Sequence, residues 1–224
     1  MRRWLFENSL SVFFFAIFLL TLFGQSLAGV RVYNEEQLTH DGETISWFRY
    51  LWSSHFGGNV MENWQSEFLQ FTTFIVATVW LVQKGSNESK ELDSAGLESD
   101  EKQQVGAHAT NRSPRWARVD GWRRRVYENS LLLVMLALFL GSWFAQSLGN
   151  WTEYNNEQTE HGEQVVTWAT YVMRADFWDR TLQNWQSEFL AVGTMAVFTI
   201  YLRQRGSPES KPVGSAHETT AAQG

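Results

Sequence analysis

An internal repeat constrains the fold of this chain more than any other feature of its sequence. The seven residues 63–69, NWQSEFL, recur unchanged as residues 184–190, at an offset of 121 positions. Seven identical residues in one register do not arise by chance, and the sequence therefore predicts two copies of one structural unit. Shorter identities at the same offset, interrupted by one compensated shift, extend the copies to residues 1–90 and 122–211.

Each copy contains two apolar segments of unequal strength. Residues 10–29 and 131–148 carry no charged side chain, and a run of about 20 such residues crosses the ~30 Å hydrocarbon core of a bilayer. The second segments, 64–82 and 185–202, each carry one glutamate near their start, which leaves charge-free stretches of only about 14–15 residues. Stretches that short also suit re-entrant or buried helices. We predict that they span, which gives an all-α fold: a four-helix transmembrane bundle made of two parallel tandem repeats of a two-helix hairpin.

The basic residues are distributed unevenly about these four segments. Of the 18 lysines and arginines, all but four lie on the side of the two termini and the central linker; the four are Arg31, Arg49, Arg174 and Arg180. The positive-inside rule places the richer side in the cytoplasm. The sequence therefore predicts a multi-pass protein of the cytoplasmic membrane, with its N- and C-terminal residues inside the cell.

The first 28 residues also have the features of a cleaved secretory signal. Arg2 and Arg3 precede an apolar stretch that ends in the small residues of segment 26–28, and this order is typical of a signal peptide. The same element recurs in the middle of the chain at residues 131–149, where cleavage by signal peptidase has no role. The recurrence favours a retained membrane segment.

The connections differ in composition on the two sides of the predicted bundle. Residues 91–121 and 212–224 are polar and poor in apolar side chains, which predicts a disordered cytoplasmic linker and a disordered tail. The outer loops, of about 35 residues each, begin with acidic residues such as Asp41 and become aromatic near Trp47 and Trp168. We expect the aromatic parts to form short helices in the membrane interface.

Helix ends are indicated at four further positions. Ser54 in the first copy and Asp176 in the second resemble the start of the helix that leads into the second span. Gly85 and Gly206 follow basic residues at the far end of that span, and they are interpreted as ordinary C-terminal stops.

Six polar residues form a candidate functional layer at the outer edge of the predicted bundle. A carboxylate at the membrane edge is a candidate for function, and an axis between two parallel copies would bring two such groups together to bind a cation or share a proton. The structural alternative is a glutamate in the first turn of each helix, capped by the asparagine before it. The glutamines of the layer serve either hydrogen bonds between helices or a solute path. The layer comprises Glu67, Glu188, Gln25, Gln146, Asn63 and Asn184.

Other chemistry finds little support in the sequence. Glu36 with His40, and Glu157 with His161, have a spacing that would suit a divalent metal, but a solvated acidic loop is the favoured interpretation. The absence of cysteine excludes disulfides and thiolate metal sites, and the net charge of −6 argues against nucleic acid as a partner. No catalytic motif is recognised, so we predict no catalytic residue, cofactor or metal ligand.

Four motifs carry a resemblance to a known family. The segments 4–8, 33–37 and 63–69, with the Gly-Ser-x-Glu-Ser-Lys ending at 85–90, resemble a bacterial integral-membrane family catalogued as a domain of unknown function. The resemblance covers both copies but not the linker or the tail, and the second copy departs from it at Asn156. It implies a location in the bacterial inner membrane and supplies no activity or residue roles.

Three classes of function follow from these observations. The prediction is a non-enzymatic membrane protein with a structural or partner-binding role in the cell envelope, in contact with the lipid bilayer and with a second copy or another membrane protein. The alternative is a small oligomeric transporter or channel that uses the layer of Glu67 and Glu188. A membrane-embedded enzyme is the least favoured class, because a catalytic set is missing.

Overall fold

The computed structural model describes residues 2–40 and 42–223, and within these residues all regular secondary structure is helical. The all-α prediction is therefore confirmed. Asp41 lies outside the described residues. The α-helices are, in chain order, α1 (Arg2–Glu7), α2 (Ser9–Thr39), α3 (Trp47–Tyr50), α4 (Ser54–Trp80), α5 (Trp122–Glu128), α6 (Ser130–Glu160), α7 (Trp168–Tyr171) and α8 (Ala175–Tyr201), with two short 3-10 helices, Gly106–His108 and Arg115–Arg118, between α4 and α5.

The chain divides into two compact units, and each unit takes residues from both copies of the sequence repeat. The first unit comprises Met1–Val60 with Ala145–Tyr171, and the second comprises Met61–Phe144 with Val172–Gly224. Helix α4 and helix α6 are therefore each divided between the two units.

Two of the long helices, α2 and α6, are long and apolar enough to cross a membrane. Each has 31 residues, which corresponds to a length of roughly 46 Å. Within the described residues, α4 and α8 do not reach the same apolarity, although each has 27 residues. The prediction of apolar helices over residues 10–29 and 131–148 is thus confirmed, while spanning by the other two stays a prediction.

The outer connections are much shorter than the predicted 35 residues. The helix α2 continues to Thr39 and α6 to Glu160, while α4 already begins at Ser54 and α8 at Ala175. The extension has a simple cause, because the polar segments that follow the apolar runs contain helix-forming Glu and Gln and no proline. The short helices α3 and α7 confirm that the aromatic segments are helical.

An asparagine in each copy holds the outer connection against its long helix in the first unit. Asn34 Oδ1 accepts a hydrogen bond from the Ile45 amide at 2.8 Å, and its Nδ2 donates to the Ile45 carbonyl at 2.9 Å. Asn155 makes the same two bonds with Val166, both at 2.9 Å. The recurring Tyr-Asn pair is thereby explained by a structural role, since each amide side chain satisfies a backbone donor and acceptor in the connection.

A tryptophan adds a second contact of the same kind. Trp47 Nε1 donates to Ser26 Oγ at 3.0 Å, and Trp168 Nε1 donates to Ser147 Oγ at 3.0 Å. Both serines are buried. The recurring Gln-Ser-Leu segment therefore supplies the acceptor that fixes each short aromatic helix to the long helix before it.

The start of α4 approaches α6 closely within the first unit. A Cβ atom added to Gly149 would lie 2.9 Å from the Cα atom of Gly58, and 3.2 Å from the Ser54 carbonyl oxygen. Both neighbours are backbone atoms, which have no rotamer to move aside. Two glycines in contact thus allow the two helix backbones to approach, as small residues do where helices pack in membranes.

The glycines predicted to stop the second helices do not do so. The helix α4 ends at Trp80 and α8 at Tyr201, several residues before Gly85 and Gly206. These glycines instead turn the loops that follow, with φ angles of 86° and 81°, which side-chain-bearing residues rarely adopt. The predicted stops are therefore wrong in position, because the helices end before the basic residues rather than after them.

Lys211 is the most deeply buried charge in the second unit, with 0% of its surface exposed. Its ammonium donates hydrogen bonds to the carbonyl oxygens of Gly85 at 2.5 Å, His217 at 2.8 Å and Thr219 at 3.1 Å, and the carbonyl of Ala216 lies at 3.3 Å. Backbone oxygens thus replace the water that the ammonium loses on burial. The predicted disorder of residues 212–224 and of the linker stays a prediction.

A group of ion pairs joins the linker to helix α5. Arg124 pairs with Asp100 at 2.7 Å, Glu128 at 2.6 Å and Asp120 at 3.2 Å. Its guanidinium thereby ties the middle of the linker to α5 in the second unit, through several donors that a lysine would lack.

We expect Gly149→Ala to destabilise the protein by about 1–3 kcal/mol, because the new methyl group meets backbone atoms. Gly141→Ala in the same helix is the matched control, since a Cβ there meets nothing within 4 Å. That control should leave stability unchanged or raise it by about 0.5–1 kcal/mol. Thermal unfolding of both variants in a non-ionic detergent, followed by circular dichroism, measures the difference. Equal melting temperatures for the two variants would contradict the close approach.

Candidate functional site

The two glutamates of the predicted polar layer lie in the middle of their helices. Glu67 is 13 positions beyond the start of α4 at Ser54, and Glu188 is 13 positions beyond the start of α8 at Ala175. The first-turn position expected for them, and the N-cap role expected for Asn63 and Asn184, are therefore wrong. The prediction failed because the segment NWQSEF resembles the start of a helix, whereas both helices begin two to three turns before it.

The actual start of α4 is set by a different serine. Ser53 Oγ accepts a hydrogen bond from the Phe56 amide at 3.2 Å, which is the usual contact of a capping side chain. Ser54 is the first residue of α4, so the predicted start there is confirmed, but its hydroxyl bonds to Glu153 instead. Asp176 lies in the first turn of α8, where its negative charge interacts favourably with the helix dipole and stabilises the helix.

The second unit brings Glu67 and Glu188 into electrostatic contact. The negative charge of Glu67 acts through space on the Glu188 carboxylate. Glu67 is exposed and Glu188 is half-buried. The two carboxylates thus interact across α4 and α8, in different surroundings.

Gln25 and Gln146 belong to the first unit and differ sharply in burial. Gln25 is exposed, whereas Gln146 is fully buried. In the part of the chain that the structure describes, neither Oε1 nor Nε2 of Gln146 has a hydrogen-bond partner. A buried amide without partners is unusual and costs about 1–3 kcal/mol. The two glutamines therefore do not form a symmetric pair.

The recurring Asn-Trp-Gln block builds a hydrogen-bonded contact between α4 and α8. Gln65 is 0% exposed, and its Oε1 accepts a hydrogen bond from Trp185 Nε1 at 2.7 Å. Asn184 Nδ2 donates to Glu62 Oε1 at 3.0 Å, and the Arg180 guanidinium lies 3.9 Å from the same carboxylate. The block therefore joins two helices, and sequence reasoning missed Gln65, Trp185 and Glu62 in this role.

A cluster of titratable side chains in the first unit was also missed. Glu153 accepts a hydrogen bond from Ser54 Oγ, and its other oxygen lies 3.6 Å from His55 Nδ1. The ring of Tyr33 lies 5.4 Å from that of His55 and 5.8 Å from that of Tyr50. Burial of Tyr50, which is 2% exposed, raises the pKa of its hydroxyl, and the charge of Glu153 adds to the effect.

The signal that would have revealed this cluster is a difference between the copies. At the repeat offset, Val32 of the first copy corresponds to Glu153, and Ala175 and Asp176 of the second copy correspond to Ser54 and His55. The acid, the serine and the histidine thus each occur in only one copy, and a search for recurring polar residues passes over these three. Tyr33 and Tyr50 do recur, as Tyr154 and Tyr171.

The histidines of the acidic loops come close to each other but do not form a metal centre. The ring centroids of His40 and His161 are 6.3 Å apart. Across residues 2–40 and 42–223, no three His, Asp or Glu side chains are arranged to hold a metal ion.

The profile of one protein family, described as a domain of unknown function (DUF6766), matches residues 1–222. The chain belongs to this family. A single match covers both copies of the repeat, the linker and most of the tail, so the expectation that the resemblance omits the linker and the tail is wrong. Neither the curated proteins nor the solved structures contain a match to the chain. The resemblance to an uncharacterised family is therefore confirmed, and membership brings no activity or residue roles.

We expect Trp185→Phe to lower the stability of the protein by about 1–3 kcal/mol, because it leaves the buried oxygen of Gln65 without a donor. Trp52→Phe is the matched control, since Trp52 is 81% exposed. For a chain of this size, the expected loss corresponds to a fall in melting temperature of about 2–10 °C. Equal melting temperatures for the two variants would show that the contact between α4 and α8 does not depend on this hydrogen bond.

Proposed function

We propose that the chain is an integral protein of the bacterial cytoplasmic membrane, with α2, α4, α6 and α8 crossing the bilayer as two parallel copies of a two-helix hairpin. The observation that carries this proposal is the distribution of side chains. Only 6% of the apolar core of α2 is buried, and Phe15 is 67% exposed. In water each such side chain would forgo about 1.5–3 kcal/mol of burial energy, whereas lipid makes its exposure favourable.

The interior supports the same proposal. Apart from Tyr50 and Tyr171, the largest fully buried side chains in the described residues are polar or charged, and they include Gln65, Gln146 and Thr181. Polar side chains inside and apolar ones outside are expected when the surroundings are hydrocarbon. The hydrogen bond between Trp185 and Gln65 also explains why α4 and α8 would carry polar side chains within a membrane span.

The orientation rests on the basic residues. The side of the predicted bundle that holds the two termini and the linker has 14 of the 18 basic residues, and it is placed in the cytoplasm. The connections 40–53 and 161–174 then lie on the outer side of the cytoplasmic membrane.

The role that we propose is structural or partner-binding rather than enzymatic. Hydrogen bonds from Asn34 and Trp47 join the connection of the first copy to α2, which supports a defined surface over residues 42–53. On that surface Phe48 and Trp52 are 68% and 81% exposed. Exposed aromatic side chains on a fixed scaffold are typical of contact surfaces, either with another protein or with the membrane interface.

Cysteine accessibility tests the topology directly, because the chain has no cysteine of its own. We expect Thr44→Cys and Gln164→Cys to react with a membrane-impermeant maleimide in spheroplasts, whose cytoplasmic membrane is intact. Ala107→Cys and Ala216→Cys should react only after permeabilisation, and the protein should resist extraction from membranes by alkaline carbonate. Labelling of Ala107→Cys in intact spheroplasts would show that α4 does not span. Extraction by carbonate would overturn the membrane proposal as a whole.

A transporter or channel is the second candidate, and the contact between Glu67 and Glu188 favours it. Two interacting carboxylates between spanning helices would form a cation-selective element. In proteoliposomes, cation flux that disappears in the variant Glu67→Gln with Glu188→Gln would support this role. Unchanged or absent flux would leave these carboxylates with a structural role.

A further inference from the structure

A cavity of about 250 Å³ lies between α4 and α8 in the second unit. Phe71 and Phe74 of α4 line it from one side, and Val192 and Met195 of α8 line it from the other. These residues form two pairs that are each separated by the repeat offset of 121 positions. The apolar wall is therefore built from corresponding positions of the two copies.

Two glutamates at corresponding positions complete the lining. Glu88 and Glu209 belong to the loops that follow α4 and α8. The Glu88 amide donates to Ser86 Oγ at 3.1 Å, and the Glu209 amide donates to Ser207 Oγ at 3.2 Å. The recurring Gly-Ser-x-Glu-Ser-Lys motif thus folds into the same turn twice, and each turn delivers one carboxyl group to the cavity.

The two carboxyl groups line the same cavity, so the charge of each acts on the other. Burial raises the pKa of Glu88, and the negative charge of Glu209 raises it further. Two like charges at one cavity favour a cation beside them, because a positive charge offsets their repulsion.

We propose that this cavity binds an amphiphile with a single apolar chain and a primary ammonium head. The chain would lie between the phenylalanines of α4 and Met195 of α8, and the ammonium would donate hydrogen bonds to Glu88 and Glu209. A primary ammonium is compact and has three donors, so it can reach both carboxylates at once. The cavity is below the ~300–1,000 Å³ range of ordinary ligand pockets, which favours one slender chain.

This site goes beyond the proposed function and does not depend on it. It is formed by α4, α8 and the loops after them, all within the second unit. A failure of α4 or α8 to cross the bilayer would be detected by cysteine labelling and would leave the cavity and its carboxyl pair in place.

Calorimetric titration of the full chain in a maltoside detergent with octylammonium chloride tests the proposal. We expect saturable binding, which differs from the non-saturable heat of partition into micelles. Glu88→Gln with Glu209→Gln should weaken binding by more than about tenfold, since the variant loses the charge-assisted hydrogen bonds to the ammonium. Glu91→Gln with Glu101→Gln removes the same charge from exposed positions and should leave the affinity unchanged. Val192→Trp should also abolish binding, because it fills the apolar part.

Neutral and anionic probes of the same chain length separate the remaining explanations. Octanol binding as tightly as octylammonium would show a purely apolar cavity and overturn the proposal, as would tight binding of octyl sulfate. Octylammonium binding that survives in Val192→Trp would mean ion pairing at the surface and would overturn it too. If the double glutamate variant does not fold, Glu88→Gln alone keeps the test, because it removes one of the two charges and keeps the size of the side chain.

Discussion

The described part of the structure depends on hydrogen bonds to polar groups that it buries, because many of its large apolar side chains are exposed. Tryptophan indoles donate several of the bonds that join one element to another. Trp47 and Trp168 hold the short outer helices through buried serines. Trp185 makes a similar bond to Gln65 between α4 and α8. An indole suits this task, since it combines a large apolar surface with one donor that must be satisfied on burial.

Much of the fold was predictable because the repeat doubles every local signal. The apolar segment at 10–29 is weak support for a membrane-spanning helix on its own, and its recurrence mid-chain favours a retained segment over a signal peptide. The helix ends were not predictable in the same way. The asparagine of the recurring NWQSEFL block resembles a cap, yet α4 and α8 begin well before it, where Ser53 supplies the cap for α4. A side chain acts as a cap when its oxygen accepts a hydrogen bond from a backbone amide of the first helical turn, and the sequence alone does not show where that oxygen lies.

The candidate sites, like the helix ends, were only partly predictable from the residues that recur in the two copies. Sequence reasoning selected Glu67 and Glu188 as a recurring pair, and the structure brings them into electrostatic contact. A second pair, Glu88 and Glu209, also recurs, but it lies just after the glycines that were predicted to be helix stops. Their proximity depends on how two loops turn after α4 and α8, and the positive φ angles of the two glycines that turn them are tertiary information.

The contacts of Glu153 with Ser54 and His55 make the two copies of the repeat unequal. The acid belongs to the second copy, where the first copy has Val32, and the serine and the histidine occur only in the first copy. A chain made of two first copies would contain the serine and the histidine twice without the acid, and a chain made of two second copies would contain the acid without its partners. The contact therefore needs one copy of each kind.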